Sequence, residues 1–211
     1  AWHARIPLPD APLNRPWNEI AAITVLVPVL MLASFVNGFP IIFYDTGAYI
    51  LEGFQHIFIA ERSPVYSLFL TYAGGPQSLW YIASIQCAIT AFVMVEFARA
   101  IKPQLSLWTL LGIGAILTVA TALPWYAAQI EPDCFVAVTA MALYLLAFQT
   151  KALGVFRGLL LILCAGFAAA THSSHIGLAV GLLASLVLMR AIVALAKSDF
   201  PKPSLIAPFL S

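Results

Sequence analysis

The chain has 211 residues, of which 62% are hydrophobic and 9% are charged, and its mean hydropathy is +0.96. A soluble domain carries about 25% charged residues, so a chain this apolar could not cover its surface in water and belongs in a lipid bilayer. The same composition excludes intrinsic disorder. A net charge of +1 offers no basic surface for nucleic acid, and three widely spaced cysteines predict neither a disulfide framework nor a zinc motif.

The order of polar and apolar segments predicts an all-α, polytopic transmembrane helical bundle. Residues 1–19 are polar and proline-rich and predict a cytoplasmic tail. The first apolar run is uncharged and long enough to cross about 30 Å of hydrocarbon. We expect about six spans within a transmembrane domain of residues 20–198, followed by a C-terminal tail of residues 199–211. The predicted spans are 20–42, 79–98, 105–123, 134–150, 155–170 and 176–196.

The distribution of charge predicts the orientation of these spans. With a cytoplasmic N-terminus, six spans place nine of the ten Lys and Arg residues on the inner side, as the positive-inside rule requires. These nine are Arg5, Arg15, Arg99, Lys102, Lys151, Arg157, Arg190, Lys197 and Lys202. Of these, Arg99, Lys102, Lys151 and Arg157 are interpreted as orientation signals and contacts to lipid headgroups. We therefore expect an integral protein of a bacterial cytoplasmic membrane with both termini in the cytoplasm.

The outer side receives five acids and three histidines, and ionisable groups near a bilayer indicate a functional site. They are Asp45, Glu52, Glu61, Glu131, Asp133, His56, His172 and His175. The alternative is that loops in contact with water simply tolerate polar residues.

The loop of residues 43–78 contains a predicted interfacial helix and a second, short helix. In a helical projection Asp45, Tyr49, Glu52 and His56 fall within about 60° of one another, opposite an apolar face. Asp45 fits an N-cap as well as a catalytic carboxylate, and Glu52 and His56 fit a solvated polar face.

Arg62 is the one cation assigned to the outer side. Such a residue either forms an ion pair with Glu61 or Asp45 or binds an anionic ligand such as a phosphate.

Three segments carry a resemblance to a known family. They are Tyr44-Asp45-Thr46-Gly47-Ala48-Tyr49, Arg62-Ser63-Pro64-Val65-Tyr66-Ser67-Leu68-Phe69-Leu70, and the stretch from Leu123-Pro124-Trp125-Tyr126 to Glu131-Pro132-Asp133. In this order, over residues 20–150, they resemble the C-type (GT-C) membrane glycosyltransferases. Ser63 and Ser67 stand where that family usually has proline.

The resemblance implies an enzyme that transfers a sugar from a polyprenyl-phosphate donor at the extracytoplasmic face. Asp45 would be the general base and Arg62 the partner of the donor phosphate. Glu131 and Asp133 would position the acceptor or hold a metal, and Tyr49 would contribute to the substrate site. Members of that family are generally at least twice as long, so a truncated or inactive relative is an alternative.

The hairpin between the last two spans contains a pair of histidines, His172 and His175, three residues apart. Histidines at this spacing share one side of a helix, as paired metal ligands do. With Asp133 they predict a site for zinc or another divalent ion, while phosphate or acceptor binding and simple closure of the hairpin are alternatives.

A different class of function is a non-catalytic accessory subunit, packed against other membrane protein subunits of a larger complex. The short chain and its large apolar surface suggest this second hypothesis. The expected partners are thus membrane lipid, a lipid-linked sugar donor and, in the second case, a membrane complex. A transporter is less favoured, because no predicted span carries a charge at its centre; Glu96 is the nearest case, and it lies close to the inner end of its helix.

Overall fold

A computed structural model of the chain describes residues 16–195. Most of the predicted N-terminal tail and the whole C-terminal tail lie outside the described residues, as do the cations Arg5, Arg15, Lys197 and Lys202. Within residues 16–195 the chain is helical and contains no strand. The elements are α1 (Pro16–Leu30), α2 (Leu32–Asn37), α3 (Thr46–Gln55), α4 (Pro64–Tyr72), α5 (Leu79–Ile101), α6 (Leu107–Ala120), α7 (Leu123–Ala128), a 3-10 turn (Pro132–Phe135), α8 (Val136–Phe148), α9 (Thr150–Ala170) and α10 (Ser173–Leu195).

Four helical stretches in the described residues are long and apolar enough to cross a membrane. They are Trp17–Asn37, Leu79–Ile101, Leu153–Ala170 and Ser173–Ile192. Each matches a predicted span, which supports an integral membrane protein. The other two predicted spans correspond to α6 and α8, whose 14 and 13 residues cover only roughly 20 Å each. Six full-length spans are therefore not confirmed.

The helices pack as two apolar groups around α5. On one side α1 packs against both α5 and α6, through small and branched side chains such as Leu26, Ala91 and Leu110. On the other side α8 packs against α5, α9 and α10, around Phe135 and Leu161. Only 6% of the apolar stretch of α10 is buried, so this helix lies at the edge of the bundle.

A buried group of four charges joins three of these helices at one end of α5. We call Glu19, Glu96, Arg99 and Arg157 the Glu19 cluster. Arg99 Nη1 lies 3.2 Å from Glu19 Oε1, and Arg157 pairs with both Glu19 and Glu96. Arg99 is only 3% exposed, so the expectation that it contacts headgroups is wrong, whereas the side chain of Arg157 is 18% exposed. Two carboxylates and two guanidinium groups leave no net charge, which allows the cluster to be buried.

At the opposite end of the bundle, α3 and α4 pack closely because of a glycine. A Cβ atom at Gly53 would overlap the carbonyl oxygen of Ser67 and the hydroxyl of Thr71 on α4. In the same helix Gly47 has open space where its Cβ would be. Gly53 therefore sets the distance between the two short helices of the 43–78 loop.

We expect Arg99→Gln to lower the free energy of unfolding by about 3–5 kcal/mol, because it leaves a buried carboxylate uncompensated. Unfolding is followed by circular dichroism in mixed micelles. The control is Lys102→Gln, which removes an exposed cation three residues away. The double variant Glu19→Gln/Arg99→Gln should be more stable than Arg99→Gln alone. Equal stability of Arg99→Gln and Lys102→Gln would contradict a buried network.

We also expect Gly53→Ala to destabilise the protein by about 1–3 kcal/mol, the usual cost of overpacking. Gly47→Ala is the matched control, since it makes the same substitution in the same helix where space is open. It should be neutral or stabilising by up to about 1 kcal/mol, because alanine favours helix. The unfolding midpoints of the two variants in detergent test the difference. Equal midpoints would show that α3 and α4 do not depend on the glycine.

Candidate functional site

Hydrogen bonds to the backbone of Ile130 hold two distant loops together at the α3 end of the bundle. The Ile130 amide donates to the carbonyl of Ile41 at 2.8 Å, forming an isolated parallel bridge between Ile42 and Ile130. The buried Thr46 hydroxyl donates to the carbonyl of Ile130 at 2.7 Å and accepts from the Phe43 amide at 2.8 Å. These bonds hold the start of α3 beside residues 130–133.

Arg62 is held between two carboxylates of the first loop. Its Nη2 lies 2.7 Å from Asp45 Oδ1 and its Nη1 lies 3.2 Å from Glu52 Oε1. Ser67 donates to the other oxygen of Glu52 at 3.2 Å. The two carboxylates raise the pKa of Arg62, the largest contribution being the hydrogen bond to Asp45. Of the alternatives predicted for Arg62, the ion pair with Asp45 is therefore present, and Glu52 is the second carboxylate that pairs with Arg62.

The polar stripe of α3 faces the protein, and its apolar face is outside. Tyr49 and Glu52 are buried, whereas Leu51 and Phe54 are exposed. The expectation that Glu52 belongs to a solvated face is wrong, because Arg62 and Ser67 cover it. His56, just after the helix, is exposed as expected. Such an arrangement suits a helix at the membrane surface, with apolar side chains toward lipid and charges toward the bundle.

Asp45 occupies the N-cap position of α3, but its side chain makes no capping hydrogen bond. Its carboxylate turns instead to Arg62, and 35% of the side chain remains exposed. Arg62 is 24% exposed. Asp45 and Arg62 are thus the solvent-accessible members of this ion-pair group, and Glu52 is the buried carboxylate that holds Arg62.

Tyr49 lies beneath Arg62, with the guanidinium carbon 5.8 Å from its ring centre. Its ring meets Tyr66 edge to face at 5.0 Å. Burial, followed by the nearby charges of Glu131 and Asp45, raises the pKa of Tyr49 to about 12, against a lowering effect of Arg62. Tyr49 is therefore a neutral residue that supports Arg62 from inside the protein.

Glu131 joins this group from the second loop and is only 8% exposed. The pKa of Glu131 is raised to about 7, chiefly by burial and then by the negative charges of Asp133 and Asp45, against a lowering effect of Arg62. One carboxyl oxygen, Oε2, is buried without a hydrogen-bond partner among residues 16–195. We call Asp45, Tyr49, Glu52, Arg62 and Glu131 the Asp45 cluster.

Asp133, His172 and His175 form a second group beside the first. One ligand atom of each residue lies within 4.8 Å of those of the other two. His175 is 1% exposed, and its Nε2 lies 3.5 Å from Asp133 Oδ1. The side chain of Asp133 is 58% exposed, and His172 is partly buried. The structure thus brings the three residues predicted as metal ligands close together; we call them the His175 cluster.

Sequence reasoning missed the polar network that anchors this end of the bundle. Tyr66 donates to Gln86 Oε1 at 2.8 Å, and Gln86 Nε2 donates to the carbonyl of Gln129 at 2.7 Å. Burial raises the pKa of Tyr66 well above its usual value, so the hydroxyl keeps its proton. The available signal was Gln86 itself, an amide inside an otherwise apolar span. Ser63 adds a further link by donating to the carbonyl of Ala170 at the end of α9.

We expect Thr46→Val to lower the free energy of unfolding by about 1–3 kcal/mol, because a buried carbonyl and a loop amide lose their partner. Thr24→Val is the control, since that exposed hydroxyl bonds only to the Ile20 carbonyl of its own helix. Chemical unfolding in mixed micelles measures both variants. A loss no larger than that of Thr24→Val would show that Thr46 does not hold the two loops together.

No protein-family model, curated protein or solved structure matches this chain significantly. The function must therefore be argued from the geometry and chemistry of the two clusters themselves.

Proposed function

We propose that the protein is a membrane glycosyltransferase that transfers a sugar from a polyprenyl-phosphate donor to a hydroxyl acceptor. The observation that carries the proposal is the pair of Asp45 and Arg62, two partly exposed groups 2.7 Å apart at the end of an apolar bundle. One is a carboxylate that can accept a proton, and the other is a cation suited to phosphate.

The place of this pair suits a substrate with a lipid tail and a polar head. The exposed face of α3 presents Leu51 and Phe54 on the side away from the charges, and the exposed Ile57 follows the helix. A polyprenyl chain would lie against this face while its phosphate reaches Arg62. We infer that the Asp45 cluster faces the extracytoplasmic side of a bacterial cytoplasmic membrane, an orientation that the bias of cations in the sequence supports.

Binding of the donor would free the base. In the structure Arg62 engages Asp45 with one nitrogen and Glu52 with the other. A phosphate that takes the place of Asp45 leaves Arg62 held by Glu52 and Tyr49. Asp45 then has a free oxygen lone pair for the acceptor. The site thus couples occupation by the donor to activation of the carboxylate.

The reaction itself needs one proton acceptor. Asp45 takes the proton of the acceptor hydroxyl while the oxygen of that hydroxyl attacks the anomeric carbon of the sugar. The bond from that carbon to the phosphate oxygen breaks, and its electron pair leaves with the polyprenyl phosphate. Arg62 stabilises the charge that develops on the leaving phosphate. Glu131 and Asp133, on the adjacent loop, would position the acceptor.

We expect Asp45→Asn to reduce sugar transfer by about 10²–10⁴-fold, the usual contribution of a general base. The assay uses protein in liposomes with a panel of radiolabelled polyprenyl-phosphate sugars and a hydroxyl acceptor. The control is Glu61→Gln, which removes an exposed carboxylate of the same loop and should keep full activity. Arg62→Gln should weaken binding of polyprenyl phosphate, measured separately. Transfer by Asp45→Asn at the wild-type rate would overturn the assignment of the base.

The second candidate is an accessory subunit of a membrane complex, and the exposure of α10 favours it. Val180, Val187 and Leu188 on this helix are each about 60% exposed or more, and the surface fits another membrane protein as well as lipid. Extraction from native membranes under mild conditions distinguishes the two. Wild-type protein that transfers no sugar and always co-elutes with a larger membrane protein would favour the subunit.

A further inference from the structure

We propose that Asp133, His172 and His175 bind one divalent transition-metal ion, most favourably Zn²⁺. This proposal rests on the His175 cluster alone and not on sugar transfer. The first support is chemical, because two imidazoles and one carboxylate form a donor set typical of zinc.

The second support is the unsatisfied nitrogen of His175. This residue is 1% exposed, and its Nε2 is buried with no hydrogen-bond partner within the described residues. A buried polar atom without a partner is rare in proteins and requires an explanation. A metal ion at Nε2 would satisfy it.

The third support is the tautomer of His175. Its Nδ1 lies 3.0 Å from the carbonyl oxygen of Ala168. A carbonyl can only accept, so Nδ1 must carry the proton and donate it. In the neutral ring Nε2 then holds a lone pair, and it lies 3.5 Å from Asp133 Oδ1 without a hydrogen bond between them. A cation bound by both atoms would satisfy the two lone pairs.

The contact with Ala168 is also what a zinc ligand needs behind it. Metal-binding histidines commonly donate their second ring N–H to a carbonyl, which fixes the ring and raises its basicity. Thr171 completes this support, with its hydroxyl 3.3 Å from Nδ1 and donating to the same carbonyl. The buried ligand is therefore held in place before any ion arrives.

The distances require little movement. In tetrahedral zinc sites, ligand atoms about 2.0–2.1 Å from the metal lie about 3.3 Å from each other. His175 Nε2 and Asp133 Oδ1 are already 3.5 Å apart, and all three ligand atoms fall within 4.8 Å. To shorten the remaining distances between ligand atoms, Asp133 and His172, the two more exposed side chains, would move.

His172 has a suitable partner for its other nitrogen. Its Nδ1 lies 2.7 Å from the hydroxyl of Ser174 and accepts from the Ser174 amide at 3.2 Å. Coordination through Nε2 moves the proton to Nδ1, which then donates to the Ser174 hydroxyl, and the exposed amide is left to water. Three protein ligands leave a fourth position open to water or to a phosphate oxygen.

The experiment measures zinc bound to the full chain, purified in detergent without a histidine tag. The protein is stripped with a chelator, equilibrated with Zn²⁺ and desalted, and the metal is determined by mass spectrometry. We expect one ion per chain, and a Co²⁺-loaded sample should show the absorption of a four-coordinate ion. Absence of stoichiometric zinc in the wild type would overturn the proposal.

The variants test which residues bind the ion. Asp133→Asn and His172→Asn alter partly exposed side chains and should retain the fold, while zinc affinity falls by at least tenfold. His56→Asn is the matched control, since it removes an exposed histidine of another loop and should bind zinc as the wild type does. Unchanged affinity in both ligand variants would place the ion elsewhere and contradict the site. The readout is metal content, so its failure is separate from any failure of sugar transfer.

Discussion

The arrangement of the Asp45 cluster and of the His175 cluster depends on the contact between two loops at Ile130. The Ile130 amide bonds to the carbonyl of Ile41, and its own carbonyl accepts from Thr46. The two bonds join residues more than eighty positions apart, at a place where the loops have no regular secondary structure to fix them. Asp45 precedes Thr46 and Glu131 follows Ile130, so one attachment point determines how close these carboxylates come. Three acids of two loops are thus held near one arginine.

Each end of the bundle contains a cluster in which acidic side chains pair with arginine, but the two clusters differ in net charge and in burial. In the Glu19 cluster two acids and two arginines are neutral overall and almost wholly buried, which suits a structural connection between α1, α5 and α9. In the Asp45 cluster three carboxylates share the single cation Arg62, and the raised pKa of Glu131 reflects this excess together with burial. An excess of negative charge held partly exposed is costly to stability. Ligands that bring positive charge or displace a carboxylate would relieve it, which is why we propose the site at this end of the bundle.

The sequence predicted the class of fold well because hydropathy and helix length are local properties. All four long helices coincide with predicted spans. The length of α6 was harder to predict, since apolar residues such as Leu123 continue beyond this helix into the short α7. The helical projection correctly placed Tyr49 and Glu52 on one face of α3 but could not show what covers that face. That depends on α4, which approaches only because Gly53 lacks a side chain.

The least predictable contacts were those between buried charges. Arg99 and Arg157 satisfy the positive-inside rule as well as any lysine in the chain, because the rule concerns which end of a helix carries charge and not what the charge touches. Their pairing with Glu19 depends on α1 and α9 meeting α5 at the same level, which no local pattern specifies. Arg62 was different, because its partners belong to the same short loop. Asp45 was one of its two predicted ion-pair partners, whereas Glu52 was expected on a solvated face. For a bundle of this kind, the partners of a charge that are close in sequence can be narrowed to a few candidates, whereas a charge joining distant helices needs the structure.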